Sequence, residues 1–139
     1  MTSESGQAVD NWFSDGASLV GLRRHKDARG TLLPVEFDTL PFLPRRLFTV
    51  SGMSAGTVRG GHAHRDGAQL LICLQGQVDL WLRRHDEEAR VSLLPDGPGL
   101  LAGPKVWCQQ TYVKEGTVLL VVSSKPYDPE SYIDAWDMP

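Results

Sequence analysis

The stretch RGGHAHRDGAQLLICLQG, Arg59–Gly76, sets two histidines one residue apart, His62 and His64, just ahead of an apolar run. In a β-strand, residues i and i+2 project to the same face. If this segment is extended along a barrel wall, both imidazoles enter one cavity. If it is a polar loop, both are solvated. The pair by itself leaves the two readings open.

The rest of the chain favours strands. From Leu19 onward short apolar runs alternate with turn signals: SLVGLRR, TLLPVEF, RRLFTVSG, QLLICLQG, QVDLWLRR, ARVSLLP, GLLAG and GTVLLVVSS. Most are 4–8 residues rich in Val, Leu and aromatics, bounded by Gly, Pro, Asp or Asn, which predicts an all-β sandwich or barrel. Within Gln77–Leu82, Val78, Leu80 and Leu82 share one face while Gln77, Asp79 and Trp81 share the other. RRHDEEAR, Arg83–Arg90, reads as a charged hairpin connection with a solvated His85. A short helical turn is expected only near the C-terminus, where DPESYIDAW offers Asp128 as cap and Pro129 at the first position. Residues 1–18 are polar and small apart from Trp12 and Phe13, and read as a flexible N-terminal arm. Residues 19–139 then form a single domain.

Composition narrows the function. With 139 residues, 14 Lys+Arg, 17 Asp+Glu and a formal charge of −3, the chain lacks the basic excess of a general nucleic-acid binder. No apolar run approaches a membrane span, and MTSESGQAVDNWF lacks the basic-then-apolar order of a secretory signal. Two cysteines, Cys73 and Cys108, in no metal-type spacing fit free thiols, so a cytoplasmic location is expected. Cys73, inside an apolar run, reads as inert core.

The spacing around the histidines resembles the first cupin motif. Gly56, the pair, Gln69 and Gly76 stand where that motif has a glycine, two histidines, a glutamate and a closing glycine. The resemblance implies a small jelly-roll barrel, so residues 19–139 are read as a cupin domain. Two departures bear on metal binding. The glutamate position holds Gln69. In the counterpart of the second motif, GLLAGPKVWCQQTY, Pro104 is followed by Cys108, Gln109 and Gln110 where a third histidine is expected. Two histidines, an amide and a thiol are a poor metal set. Free imidazole, which titrates near neutral pH, suits proton transfer.

Across residues 20–137 the chain further resembles the dTDP-4-keto-6-deoxyglucose 3,4-ketoisomerases, the WxcM-like sugar cupins. The carriers are DARGTLLPVEF, LPFLPRRLFTV, RGGHAHRDGAQLLICLQG, GPKVW and YDPESYIDAWD. The resemblance implies an enzyme that moves the ketone of a nucleotide-linked 6-deoxyhexose from C4 to C3, without metal or organic cofactor. His62 and His64 match the family's catalytic pair. It also implies substrate binding by Arg29, Arg46 and Arg59, with Glu36 as a matching carboxylate, and a homodimer that exchanges N-terminal strands. Gln69 and Arg59 are candidate donors to the developing oxyanion, and Trp107 a candidate wall of the sugar pocket. Tyr112 and Tyr127 read as packing residues. Phe48 and Thr49 replace a tyrosine pair of some relatives. The alternatives are a 4-keto nucleotide-sugar epimerase and a non-catalytic sugar-binding cupin. An epimerase of this kind needs a tyrosine acid, and the sequence places no tyrosine next to the pair.

Overall fold

The computed structural model describes residues 8–134. Thirteen strands run in chain order: β1 Ala8–Trp12, β2 Ala17–Val20, β3 His25–Asp27, β4 Gly30–Leu32, β5 Arg46–Val50, β6 Thr57–His64, β7 Gln69–Gln75, β8 Val78–Arg84, β9 Glu87–Leu93, β10 Gly99–Ala102, β11 Trp107–Tyr112, β12 Val118–Ser123 and β13 Tyr132–Ile133. Two antiparallel sheets carry the structure. One has the order β1-β2-β10-β7-β12-β5, the other β13-β6-β11-β8-β9, and β3-β4 form a separate ribbon. This is the expected all-β architecture, and none of its helices is long and apolar enough to cross a membrane among the described residues.

The core explains why particular runs became strands. Val78, Leu80 and Leu82 on β8 are at most 2% exposed, as their alternation requires. They pack with Leu71, Cys73, Leu93, Leu100, Tyr112, Leu119 and Val121 between the sheets. The run QLLICL does not alternate because β7 is covered on both sides. Leu71 and Cys73 enter that core, while Leu70 and Ile72 join Val20 and Val122 in a second cluster. Leu33, Val35, Leu40 and Phe42 pack against this second cluster. TLLPVEF was expected as a strand, but only its first residues continue β4. Pro34 withholds a ladder donor, and the segment passes as coil into a 3-10 turn at Phe37–Thr39, spending its apolar side chains as a cover for the outside of β7.

Of the expected arm over residues 1–18, residues 1–7 lie outside the described residues, and from Ala8 onward the chain forms strands. β1 pairs with β2, and β2 pairs with the edge of β10, so the hairpin extends the sheet. Phe13 is 6% exposed and Ala17 1%. The only large apolar groups of that polar stretch therefore anchor it. The charged connection after β8 is also shorter than expected, since Arg83 and Arg84 pair with Glu88 and Glu87. His85 opens the remaining two-residue turn with φ 55 and is exposed. The C-terminal turn forms as expected over Pro129–Ser131, with the Asp128 carboxylate accepting from the Glu130 amide at 3.0 Å.

β6 contains the irregularity that shapes the site. Its pairing with β11 slips between Cys108 and Gln109: Cys108 faces His62, but Gln109 faces Gly60. Gly60 and Gly61 have φ of 80 and 86, a left-handed conformation that favours glycine at a bulge. A Cβ at Gly60 would meet the Gln110 Nε2 at 2.7 Å and the Cys108 carbonyl at 2.9 Å, whereas at Gly61 the nearest neighbour is Trp107 Cζ2 at 3.8 Å. Gly61→Ala should therefore lose only the left-handed penalty, about 1–2 kcal/mol. Gly60→Ala should lose clearly more, because a backbone oxygen must move as well. Urea unfolding of the two variants beside the parent checks the order.

Candidate active site

The bulge decides which side chains meet. Directly paired residues on antiparallel strands point to the same side of a sheet. Cys108 pairs with His62, Gln110 with Arg59 and Tyr112 with Thr57. Arg59 thus shares the face of His62 despite an odd spacing of three. His64, two residues beyond His62, completes that face. β13 closes the outer edge, with Tyr132 opposite His64 and Ile133 opposite Ala63.

Both imidazoles line a cavity of about 430 Å³ between the two sheets. Their ring centroids are 5.8 Å apart and their planes stand at 89°. Arg46 from the start of β5, Gln69 from the start of β7, and Cys108 and Gln110 from β11 line the same space. Four of the residues singled out in the sequence are therefore together: His62, His64, Gln69 and Arg46. The Arg46 guanidinium carbon lies 4.5 Å from the centre of the Phe48 ring and 5.4 Å from that of Tyr127. The substitution at Phe48 thus keeps a π-face under the guanidinium.

The other four lie elsewhere in this chain. Arg59 is exposed and outside the cavity lining, although its charge reaches Tyr112, where burial pushes the hydroxyl up to about 12 and Arg59 opposes the shift. Arg29 sits on the β3-β4 ribbon in a salt bridge to Asp27 at 2.6 Å. Glu36 is exposed beside a shallow cleft on the cover of β7. Trp107 is 4% exposed and its indole N–H donates to the Asp134 carbonyl at 2.9 Å, which ties β11 to the C-terminal segment rather than presenting the ring to the cavity.

The sequence reading missed Tyr132. Its ring centroid lies 4.4 Å from His62 and 4.7 Å from His64. A tyrosine thus adjoins the pair in space, although none stands near it in sequence. Local pattern held no signal for it, because a pairing across 68 residues brings it there. Tyr127 and Lys125 also line the cavity; Lys125 stands 3.4 Å from Asp66.

The environment tunes the pair. Burial lowers the pKa of His62 below its ordinary 6.5, and Asp134 opposes this. His64 is lowered by burial, then by the charges of His62 and Arg46, against a weaker pull from Asp66. Both rings thus hold a neutral form down to a lower pH than free imidazole. Cys108 keeps its proton, with burial raising the thiol to about 11. Among the described residues no group of three or more His, Cys, Asp or Glu could hold a metal ion.

These shifts link to stability. Below the ordinary histidine value the unfolded chain binds protons that the folded chain resists, so stability should fall as pH drops from about 6.5 through the lowered values. Urea unfolding at pH 7.5 and 5.5 measures the slope. The His62→Asn/His64→Asn double variant should show a smaller loss between those pH values than the parent.

Relatives share this arrangement of strands. The family model FdtA (WxcM-like, C-terminal) matches residues 15–138. The chain is 28% identical over 120 residues to the TDP-4-oxo-6-deoxy-α-D-glucose 3,4-oxoisomerase of Aneurinibacillus thermoaerophilus, covering 86% of each chain. It is similar to QdtA, a sugar 3,4-ketoisomerase of Thermoanaerobacterium thermosaccharolyticum solved with TDP: 35% identity, TM-score 0.82, covering 88% of this chain and 90% of that one. A histidine-to-asparagine mutant of QdtA is solved with TDP-4-keto-6-deoxyglucose. The TDP-quinovose 3,4-ketoisomerase WlaRB of Campylobacter jejuni matches at 30% identity and TM-score 0.81, over 87% of this chain and 94% of that one. A barrel with this paired-histidine cavity, matched over nearly its whole described length, belongs to the FdtA, WxcM-like family.

Proposed function

We propose that the chain is a nucleotide-sugar 3,4-ketoisomerase that moves the ketone of a TDP-4-keto-6-deoxyhexose from C4 to C3. The observation that carries the reading is two half-buried imidazoles on one cavity face, in a chain whose relatives bear that activity. The C3–H of a 4-keto sugar is acidic because the carbanion delocalises into the carbonyl. A neutral base takes that proton to give a cis-enediolate. Proton movement from O3 to O4 and reprotonation at C4 leave the ketone at C3. Two proton carriers on one side of the sugar suit this transfer.

The electrostatics support a division of labour. His64, held neutral by burial and by the adjacent cations, suits the base at carbon. His62, lowered by burial against Asp134 but without the arginine that also lowers His64, suits the relay at oxygen. The Gln69 amide, from the same cavity lining, suits a donor to the developing oxyanion. Arg46 suits the diphosphate, since a guanidinium fork matches phosphate oxygens. Lys125, from the same lining, adds a second cation. The reading requires no metal or organic cofactor, and it fits a cytoplasmic biosynthetic step.

A homodimer with exchanged N-terminal segments accounts for the residues outside the cavity. Leu32, Phe37 and Leu43 are 64%, 54% and 74% exposed, apolar surface that a second copy would cover. Exchange of the 20–40 segment would carry Arg29 and Glu36 towards the partner's cavity. Arg59 and Trp107 keep supporting roles in the reading, Arg59 at the cavity face of β6 and Trp107 behind the C-terminal segment. Light scattering at micromolar concentration should give twice the chain mass, and a monomer there would remove the dimer from the proposal.

Incubation with TDP-4-keto-6-deoxyglucose in deuterated water tests the activity by NMR. A 3-keto product with deuterium incorporated supports the isomerase. Exchange without ketone movement would instead indicate an epimerase, and neither would indicate a binding protein. His64→Asn should lose roughly 10²–10⁴-fold in rate together with exchange at C3. His62→Asn should exchange that proton yet deliver little product; the opposite pattern would reverse the two roles.

A further inference from the structure

The C-terminal segment reaches the histidines through one side chain and is fastened at several points. The Arg65 amide donates to the Ser131 carbonyl at 2.8 Å. The Arg65 Nε donates to the Glu130 carbonyl at 3.2 Å. The Trp107 indole holds Asp134 from the other side, and the Asp128 cap fixes the entering turn. Between these ties stands Tyr132, its ring meeting His62 at 45° and His64 at 68°. One aromatic ring thus contacts both imidazoles, which stand at right angles to each other.

Each imidazole turns about two side-chain torsions, and χ2 of histidine is broad. Among the described residues no hydrogen bond to protein fixes either ring, so packing must restrict them. We propose that Tyr132 is a positioning residue for the ketoisomerase reaction. Its ring, rather than its hydroxyl, holds the His62 and His64 imidazoles crossed and shields them from water. This assignment rests on the isomerase reading for its effect on rate, but its effect on the imidazoles does not.

The shielding has a titration consequence. The groups around the pair are Asp134 beside His62, Arg46 and Asp66 beside His64, and Cys108 paired with His62 on β11. Substitution at Tyr132 leaves these side chains in the chain while wetting both imidazoles. Hydration favours the charged form, so both values should rise towards that of free histidine.

The test compares Tyr132→Phe, which keeps the ring, with Tyr132→Leu, which removes it. Imidazole titration by NMR comes first, with the exposed His25 and His85 as internal references. In Tyr132→Leu the pair should titrate at higher pH than in the parent, with His25 and His85 unmoved, while Tyr132→Phe stays near the parent. Where the parent isomerises the keto sugar, Tyr132→Leu should lose roughly 10²-fold in kcat, the scale of a misplaced reacting group, with KM little changed. Its acid limb should move to higher pH, and Tyr132→Phe should keep the greater part of kcat. A Phe variant as impaired as the Leu variant would overturn the proposal in favour of the hydroxyl. A Leu variant with parental histidine titration would also overturn it, as would one that raises KM alone. Inactivity of the parent itself would count against the isomerase reading, and the NMR titration would still decide the role of the ring.

Discussion

A barrel wall that holds a polar cavity cannot also be core, and the structure is organised by that constraint. The inner faces of β6 and β11 carry His62, His64, Cys108 and Gln110 where other strands carry Leu and Val. Apolar packing is therefore concentrated away from the cavity, around Leu80, Leu82, Leu93, Leu100, Tyr112 and Leu119. β7 joins the two regions. Its first residue, Gln69, faces the cavity, and the next four are buried. Its outer side is then closed by the coil around Leu33 and Val35, so the strand beside the site is fixed from both faces.

The same constraint explains what could be read from the sequence. Strands that serve only the core show their period plainly, as Val78, Leu80 and Leu82 do. β11, with Gln109, Gln110 and Thr111 in its middle, has no apolar alternation and is missing from the predicted runs. β6 is further obscured by its bulge, which reverses the face of every residue before Gly61 relative to a simple count of two. Function and irregularity coincide here because a site needs polar groups where the fold wants apolar ones. The N-terminal hairpin was hidden from the sequence for a different reason. A strand added at a sheet edge needs backbone partners more than apolar side chains, and Phe13 with Ala17 suffices to seat it.

The site was legible to the extent that it was local. His62 and His64 lie on one strand, and their shared face follows from the two-residue spacing. Arg46 was singled out by its match to a family position and Gln69 by standing at the motif's glutamate position, and the sheets bring them to the same cavity. Tyr132 was not legible, since its place depends on a two-residue strand held by Trp107, Arg65 and the Asp128 cap. The sequence reading recognised the cap and the turn but had no means of choosing the strand against which the turn would deliver the next residue. Trp107 illustrates the converse. An aromatic near the second motif suggests a pocket wall, yet its indole N–H needs an acceptor when buried, and the Asp134 carbonyl supplies one behind the cavity.

Charge ties recognition to chemistry in this arrangement. Arg46 helps hold His64 below its ordinary pKa, and under the proposed function the same guanidinium meets the diphosphate. An empty cavity then keeps His64 neutral, ready to accept a proton but only a modest base. A bound dianion offsets the guanidinium charge and removes part of the field that opposes protonation. Under that reading His64 should become a stronger base when substrate occupies the site, while burial between the sheets keeps its pKa from rising fully to the solvent value. Under the proposed function both contributions come from groups that also serve the binding or closure of the cavity, so the proton acceptor would be tuned without a dedicated partner of its own.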